Sequence, residues 1–539
     1  MNNKKNNEFD VVIIGSGFGG GTVALRLAQA GKRVLVLERG RRWRGANLEP
    51  AAGDPASTPF PELGDTHFFW GRQIWRPARQ RLGLFEIRQM PNLQGLLGAG
   101  VGGGSLIWAN VVIEAPEEVF SAHWPREINR TALEPYYRKA DPYLRPAYVP
   151  GVPGIPDGQK GRAVRRAEVL EQAAARVGRT WRPVRVAVNF GDDKQAAPNG
   201  HGARQLGCNY CGLCSAGCPQ NAKNTVDVTY IAAAEALGAE VRPLHEVTAV
   251  EPVAGGYRVH YRRYQPDGSL AESGSIEAPR VVVSAGTFGS TELMLKSKHA
   301  GYLTGLSQAL GSRFSINGNV LSGALKPGSS RKEIASADTN SGPAITGMID
   351  YGDFAIEDYP NPTWANGIVG GTSFGRIKAF LLALMGVKPS ARSLARKVAD
   401  LLVYVGVSRD AAGGQLKLSR LFGLSLTWPG GINADPAVRK LHAALKELAE
   451  AQGRRYVPNV FSIFNRPFTY HPLGGCPMAD TEQEGVVDSC GRVFNYPGLY
   501  IADGSIVPTA IGRNPSYTIA ALSERIAEKM LQDMQRFGR

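Results

Sequence analysis

Four cysteines in the segment Cys208–Pro219, "CNYCGLCSAGCP", have the most distinctive spacing in the chain. Cys208, Cys211, Cys214 and Cys218 follow the pattern C-x2-C-x2-C-x3-C, and the chain has six cysteines in all. Thiolates at this spacing can ligate one iron–sulfur cube, so the run predicts a cluster. Two alternatives stay open: structural thiols, reduced or paired in disulfides, and a zinc site, whose ligands are more often split into two distant pairs.

A glycine turn near the N-terminus has the chemistry of a nucleotide site. In "VVIIGSGFGG", Gly15, Gly17 and Gly20 follow an apolar strand, and a second strand ends on Glu38. The first glycine permits a tight turn, the second lets the backbone approach a pyrophosphate, and the third lets the helix pack closely. A carboxylate at the end of the second strand can accept hydrogen bonds from an adenosine ribose. The segment therefore predicts a dinucleotide-binding fold.

A second glycine run, "GAGVGGGSLIWAN", repeats the spacing at Gly98, Gly100 and Gly103. Neither a clear strand before it nor a helix after it is visible. We interpret it as a loop whose backbone N–H groups can lie against a flat ring or a phosphate, because no Cβ atoms intervene. A flexible surface loop is the alternative, which the apolar residues that follow disfavour.

The C-terminal segment predicts elements that surround such a site. A short strand at Leu499–Ala502 is followed by a long loop and a helix, with Asn514 as its N-cap and Pro515 in its first turn. The positive end of that helix dipole would stabilise negative charge in the nucleotide domain.

The remaining segments are less sharply patterned. Residues 120–200 are rich in Pro and Arg and predict irregular connections, while 239–263 and 278–286 alternate like strands. The apolar segment 378–406 carries interspersed Lys and Arg and predicts a core-facing pair of amphipathic helices. A lid or a segment in transient contact with a membrane surface is the alternative.

Composition limits the function classes. A chain of 539 residues exceeds one ordinary core, so two domains or one elaborated domain are expected. No run of about 18 apolar residues occurs, which argues against a spanning helix. The N-terminus lacks an apolar signal region, so we expect a cytoplasmic protein. The net charge of +15 indicates a solvated basic surface rather than nucleic-acid binding, since no zinc finger, RNP motif or basic helix concentrates it.

Motifs spread along the chain resemble the glucose-methanol-choline (GMC) family of flavoprotein oxidoreductases and, within it, the cholesterol-oxidase-like branch. The likeness rests on "VVIIGSGFGG", "VLVLERG", "GVGGGSL", "HEV", "SAGTFGSTELML", "HPLGGCPMAD" and "LYIADGSIVPTAIGRNPSYTIAALSERIA". The resemblance implies an α/β fold with a Rossmann-like FAD-binding domain and an inserted sheet-plus-helix substrate-binding domain. The FAD-binding domain would comprise residues 1–120, 201–310 and 466–539, the irregular insertion 121–200, and the substrate-binding domain 311–465.

The resemblance also assigns residues to non-covalent FAD. The first glycine turn and Glu38 would hold the adenosine diphosphate half, and Val247 would meet the adenine. The isoalloxazine would be lined by Gly104, Ser105, Asn110 and Val111, and the ribityl chain would be bound by Asp503 and Gly504.

His471 and Asn514 match the family's pair that faces the substrate hydroxyl. Histidine suits proton transfer near neutral pH, and an amide can orient the same oxygen. His471 is accordingly predicted to be the principal acid/base. Glu357 lies roughly where sterol-oxidising relatives carry a carboxylate, with a surface acidic pair, Glu357 and Asp358, as the alternative. Arg513 stands where the relatives have a small or apolar residue.

The leading hypothesis is FAD-dependent oxidation of an alcohol on a lipophilic, sterol-like or polycyclic substrate, with oxygen or an electron-acceptor protein as partner. A flavin-binding lyase or decarboxylase is a second hypothesis. The cysteine run motivates a third, a dehydrogenase or electron-transfer subunit that passes electrons through an iron–sulfur cluster.

Overall fold

A computed structural model describes residues 8–45, 57–61, 69–73, 76–156, 162–326, 340–361, 401–419, 423–458 and 467–536. A five-stranded parallel sheet forms the nucleotide-binding half of this structure. Its three central strands are short runs of Val, Ile and Leu, which is typical of strands buried on both faces. Their order across the sheet is Glu240–Arg242, Val34–Leu37, Val11–Ile14, Val281–Val283 and Leu499–Ile501.

Seven α-helices occur in the described part of the chain: Phe18–Gln29 (α1), Arg130–Leu144 (α2), Arg165–Arg176 (α3), Ala232–Ala236 (α4), Gly286–His299 (α5), Pro436–Glu450 (α6) and Ser516–Arg536 (α7). Helices α1, α2 and α7 pack against one another in the core of the parallel sheet. In α7, Leu522, Ile526 and Met530 are buried, and Ile519 is half-buried.

A six-stranded antiparallel sheet forms the other half. Its order is Trp181–Pro183, Gly347–Asp350, Phe354–Tyr359, Leu401–Ser408, Val320–Leu325 and Arg455–Val457. Helices α3 and α6 pack against it and share its core. The α/β fold with a second sheet-plus-helix unit is therefore confirmed, whereas the domain boundaries stay a prediction.

Smaller sheets complete the fold. Two have three strands: His245–Val253, Gly256–Tyr264 and Leu270–Ala278, and Phe468–Thr469, Leu93–Gly98 and Phe85–Met90. Five are pairs: Arg42–Arg44 with Ser57–Pro59, Trp70–Gln73 with Arg76–Leu82, Ala147–Tyr148 with Arg185–Val186, Ala197–Pro198 with Arg204–Gln205, and Gln415–Ser419 with Gly423–Thr427. No helix of the described residues is long and apolar enough to cross a membrane.

Three secondary-structure predictions are wrong. Residues 120–200 contain α2 and α3, because the Asn129 side chain caps α2 and apolar faces of both helices reach the cores. In segment 378–406, residues from Leu401 onward form a central strand rather than a helix, while 378–400 lie outside the described residues. A strand, Leu93–Gly98, does precede the second glycine run.

Candidate active site

The two halves of the fold meet at a cavity of about 850 Å³. Gly15, Gly17 and Glu38 line it on the side of the parallel sheet. Leu321 and Val405 line it on the side of the antiparallel sheet. One continuous space therefore joins the predicted nucleotide site to the predicted substrate region.

The glycine turn is packed as its sequence predicts. Gly15 has a φ of +96°, and a Cβ there would lie 2.3 Å from the carbonyl oxygen of Ser284. A Cβ on Gly20 would lie 2.0 Å from the carbonyl oxygen of Gly15, so α1 can approach the strand only with glycine there. At Gly17, a Cβ would find its nearest neighbour 3.9 Å away, which leaves the start of α1 open to the cavity.

Glu38 stands at the end of the second strand, with its carboxylate turned towards this turn. Its Oε2 accepts hydrogen bonds from the Ser16 amide at 3.2 Å and the Ser16 hydroxyl at 2.7 Å. Its Oε1 accepts one from the Gly40 amide at 2.9 Å. The carboxylate is thus held in place at the cavity wall.

The second glycine run forms a 3₁₀ turn, Gly103–Leu106, at the cavity. Gly104 lines the cavity and faces open space. Ser105 lies behind the wall, where its hydroxyl donates to the Gly102 carbonyl and accepts from the Val226 amide. Val111 packs in the core of the antiparallel sheet.

Asn110 is also behind the wall, fully buried, with a φ of +69° and no partner for its side-chain amide among the described residues. Trp108 and Ala109 line the cavity instead. Sequence reasoning missed both residues, although the quoted run "GGGSLIWAN" contains them.

A buried lysine braces this turn from behind. The Lys223 ammonium donates to the carbonyls of Ser105 at 3.2 Å, Leu106 at 2.9 Å and Cys214 at 2.7 Å. Burial lowers its pKa to about 8. Sequence reasoning missed Lys223. The sequence signal for a bracing role is a single lysine within a segment that packs in the core.

Asp503 organises the opposite wall. Its carboxylate accepts hydrogen bonds from the Gly286 amide at 2.9 Å and the Ser505 amide at 2.8 Å, and burial raises its pKa. Gly504 and Val247 line the cavity as well.

His471 is half-buried at the cavity wall, and Asn319 fixes its ring. The Oδ1 atom of Asn319 accepts from the backbone amides of Tyr470 at 3.2 Å and His471 at 3.0 Å, so the amide nitrogen must face the ring. That nitrogen donates to Nδ1 of His471 at 3.1 Å. Burial lowers the His471 pKa to about 3, so the ring is neutral with its hydrogen on Nε2.

Glu357 and Asn514 meet beside this histidine. The Asn514 amide donates to Oε2 of Glu357 at 3.4 Å. Glu357 pairs with Val405 across the antiparallel sheet, and opposite residues share a face, so its carboxyl is on the cavity side. Burial raises the pKa of Glu357 to about 8.

The alternative of a surface acidic pair is wrong, since both Glu357 and Asp358 are buried. The predicted N-cap is also wrong. Helix α7 begins at Ser516, and the Asn514 side chain is engaged with Glu357 rather than with the helix. Pro515 and Ser516 line the cavity, so the N-terminus of α7 does face it.

The cysteine run lies near the cavity, where Ser215 is part of the wall. All four cysteines have free thiols; Cys211 is exposed and the other three are buried. Within the part of the chain that the structure describes, no group of three or more His, Cys, Asp or Glu side chains could hold a metal ion. The predicted iron–sulfur and zinc ligation therefore finds no support in the described residues.

The cavity fits FAD. Two residues of its wall carry polar atoms that have no partner among the described residues, Trp108 Nε1 and Tyr470 Oη. Gly104 and Gly286 offer open backbone surface to a planar group. The open start of α1 suits a pyrophosphate. A parallel nucleotide-binding sheet joined through this cavity to a buried His–Asn–Glu group is the architecture of an FAD-dependent oxidoreductase.

Comparison with known proteins identifies the family. Sequence profiles described as "GMC oxidoreductase" match residues 93–302 and 437–523, and one described as "FAD binding domain" matches 10–53. A cholesterol oxidase from Acinetobacter baumannii is 30% identical, over 96% of this chain and 94% of the relative. One from Mycobacterium tuberculosis is 31% identical, over 96% and 90%. The chain belongs to the GMC oxidoreductase family, whose members oxidise alcohols with FAD.

Solved structures agree on the fold. A pyridoxine 4-oxidase from Mesorbium loti has a TM-score of 0.60 at 15% identity, covering 97% of this chain and 99% of that protein. A fungal aryl-alcohol oxidase has a TM-score of 0.58 at 16% identity, covering 98% and 100%. At these identities the likeness concerns the fold alone.

Proposed function

We propose that this protein oxidises a hydroxyl group on a lipophilic, sterol-like alcohol and passes the electrons to oxygen. The observation that carries the proposal is the contact between Asn514 and Glu357 beside His471, in a buried site that opens on the nucleotide cavity. FAD supplies the hydride acceptor when it is bound. The glycine turn and Glu38 would hold its adenosine half, and Gly104, Trp108 and the start of α7 would face its ring.

His471 orients the substrate rather than accepting its proton. Its Nδ1 lone pair is occupied by Asn319, so only Nε2–H is available to the substrate. This N–H donates to the hydroxyl oxygen and holds the carbinol C–H towards the flavin side of the cavity. The prediction of His471 as the principal acid/base is thereby replaced by a donor role.

Glu357 is the group suited to remove the hydroxyl proton. A carboxyl with a pKa of about 8 is a stronger base than an exposed one, and its Oε1 has no partner among the described residues. Asn514 holds the other oxygen, which leaves Oε1 to face the substrate. Removal of the proton by Glu357 while His471 holds the oxygen makes the carbinol a better hydride donor.

The lipophilic substrate is supported by the wall of the cavity and by the relatives. Leu321, Ile345, Val405 and Phe468 contribute apolar side chains near His471. Two relatives, 30% and 31% identical to this chain, are named cholesterol oxidases. A relative from Arabidopsis thaliana that is 24% identical is named a long-chain-alcohol oxidase.

A substrate panel tests the proposal. Purified FAD-loaded protein is assayed for hydrogen peroxide with cholesterol, a smaller polycyclic secondary alcohol and a long-chain primary alcohol. The proposal expects peroxide in proportion to ketone formed, with the highest kcat/KM on the polycyclic substrates. Preference for the primary alcohol would reject the sterol-like substrate, and ketone formed only with an added electron acceptor would reject oxygen as the partner.

A further inference from the structure

Arg513 is a buried charge beside the candidate site that none of these roles uses. Its side chain is 5% exposed, and its guanidinium donates to Asp350 Oδ1 at 2.5 Å and to the carbonyls of Gly512 at 2.6 Å and Gly352 at 3.2 Å. The charge is therefore directed at the protein rather than at the substrate space.

The register of the antiparallel sheet places this ion pair beside Glu357. Met348 is opposite Glu357, and Asp350 is opposite Ala355. Opposite residues share a face, and so do residues two apart on one strand, so Asp350 and Glu357 share a face as diagonal neighbours about 7–8 Å apart. Arg513 binds Asp350 while the adjoining Asn514 binds Glu357, so its guanidinium is held next to that carboxyl.

A second cation, Arg182, also binds Asp350, at 2.7 Å, but its side chain is 54% exposed, so solvent screens its charge. His471 is neutral, and burial raises the pKa of Tyr470 well above its usual value, so the phenol stays protonated. Tyr359 is likewise buried and its pKa is raised to about 12. Asp358 points to the opposite face of the strand, where it pairs with Arg166 at 2.8 Å. Among the described charges that act on Glu357, Asp358 raises its pKa and Arg513 lowers it.

We propose that the Arg513–Asp350 pair tunes the ionisation of Glu357 and thereby sets the pH range in which the alcohol is oxidised. The inference rests on the proposed function, because it takes Glu357 as the group that accepts the hydroxyl proton. The guanidinium favours the carboxylate form of Glu357, and Asp350 limits this effect by neutralising part of the charge. Arg513 and Asp350 are positioning residues, since neither touches the substrate.

Two substitutions should shift the pH profile in opposite directions. In Arg513→Met the cation is lost, so the pKa of Glu357 should rise. The acid limb of the kcat/KM profile should then move to higher pH by about one unit, the size of shift that a nearby charge produces. In Asp350→Asn the guanidinium is no longer neutralised, so the acid limb should move to lower pH. Arg513→Lys keeps the charge and should keep the wild-type limb.

The Glu357 carboxyl can be titrated without turnover. Infrared difference spectra of the FAD-loaded protein should contain a protonated-carboxyl band that is absent from Glu357→Gln, and the titration midpoint of this band should shift as the kinetic limb does. Unchanged midpoints in folded Arg513→Met protein would overturn the proposal. If Arg513→Met does not fold, Asp350→Asn provides the test. A carboxyl midpoint in Asp350→Asn that equals or exceeds the wild-type value would reject the proposal. Wild-type turnover in Glu357→Gln would reject the proposed role of Glu357 instead, while the infrared midpoints of the other variants still report the tuning.

Discussion

At the scale of single residues, the proposed chemistry depends on the protonation of His471 and Glu357. Burial lowers the pKa of His471 to about 3 and raises that of Glu357 to about 8. Both shifts disfavour the charged form. The histidine is therefore neutral throughout the range of an ordinary assay, and the carboxyl gains protons as the pH falls below about 8. These opposite shifts support the proposed donor role of His471 and the proposed base role of Glu357.

The pH dependence of catalysis follows from Glu357. A base works in its deprotonated form, so kcat/KM should rise with pH and level off above the Glu357 pKa of about 8. Below that value it should fall about tenfold per pH unit, as one proton is bound. In Glu357→Gln we expect kcat to fall by about two to four orders of magnitude and the limb to disappear. A variant that keeps the same limb at reduced rate would assign the titration to another group.

Asn319→Asp tests the tautomer of His471. An aspartate has nearly the same shape and keeps the hydrogen bonds from the Tyr470 and His471 amides. Its second oxygen accepts a hydrogen bond from Nδ1–H, so the hydrogen of the neutral ring moves from Nε2 to Nδ1. Loss of one donor to the reacting oxygen should lower kcat by about a hundredfold while FAD stays bound. The same change in a His471→Gln background should have little further effect. Equal losses in both backgrounds would mean that Asn319 acts only on folding.

At the scale of elements, the glycine turn and the strand that ends at Glu38 form a local unit that its sequence specifies. Backbone atoms close to Gly15 and Gly20 leave no room for a Cβ, so only glycine fits at these two positions. The residue types alone therefore predicted the turn. Segments that depend on distant contacts were not predicted. The strand Leu401–Ser408 pairs with residues about 50 and 80 positions away, and its local pattern resembles an apolar helix.

Glu38→Ala should weaken FAD binding. The carboxylate holds the Ser16 and Gly40 amides at the cavity wall and is the acid placed to meet a ribose. We expect the variant to lose its flavin on gel filtration while its secondary structure is retained. Glu240→Ala is a suitable control, because Glu240 is exposed on the neighbouring strand of the same sheet. Equal flavin content in both variants would limit Glu38 to a structural role.

Lys223→Met should destabilise the turn that faces the flavin. The ammonium is the shared donor of the carbonyls of Ser105, Leu106 and Cys214, and a methionine leaves these without that donor. The free energy of unfolding of the FAD-loaded protein should fall by about 2 kcal/mol or more in a denaturant titration. Lys298→Met, which removes a bond to the single carbonyl of Leu306, should cost much less. Similar losses would show that Lys223 does not brace the turn.

At the scale of the whole molecule, the two halves of the fold contribute different parts of the site. Loops of the parallel sheet supply His471 and Asn514, and the antiparallel sheet supplies Glu357. The sequence predicted all three from motifs, but neither Asn319 nor the role of Arg513 could be predicted. Both depend on chain segments more than 100 residues apart that meet only in the folded protein.

The central claim is that a hydroxyl on a lipophilic substrate delivers its hydride to the bound flavin with Glu357 as the base. Anaerobic mixing of FAD-loaded protein with cholesterol tests it most directly, because one turnover is observed without any electron acceptor. We expect the visible flavin absorbance to bleach in the wild-type protein, to bleach far more slowly in Glu357→Gln, and to return with peroxide when air is admitted. Flavin that stays oxidised in the wild-type protein with cholesterol and with every other lipophilic alcohol offered would contradict the account.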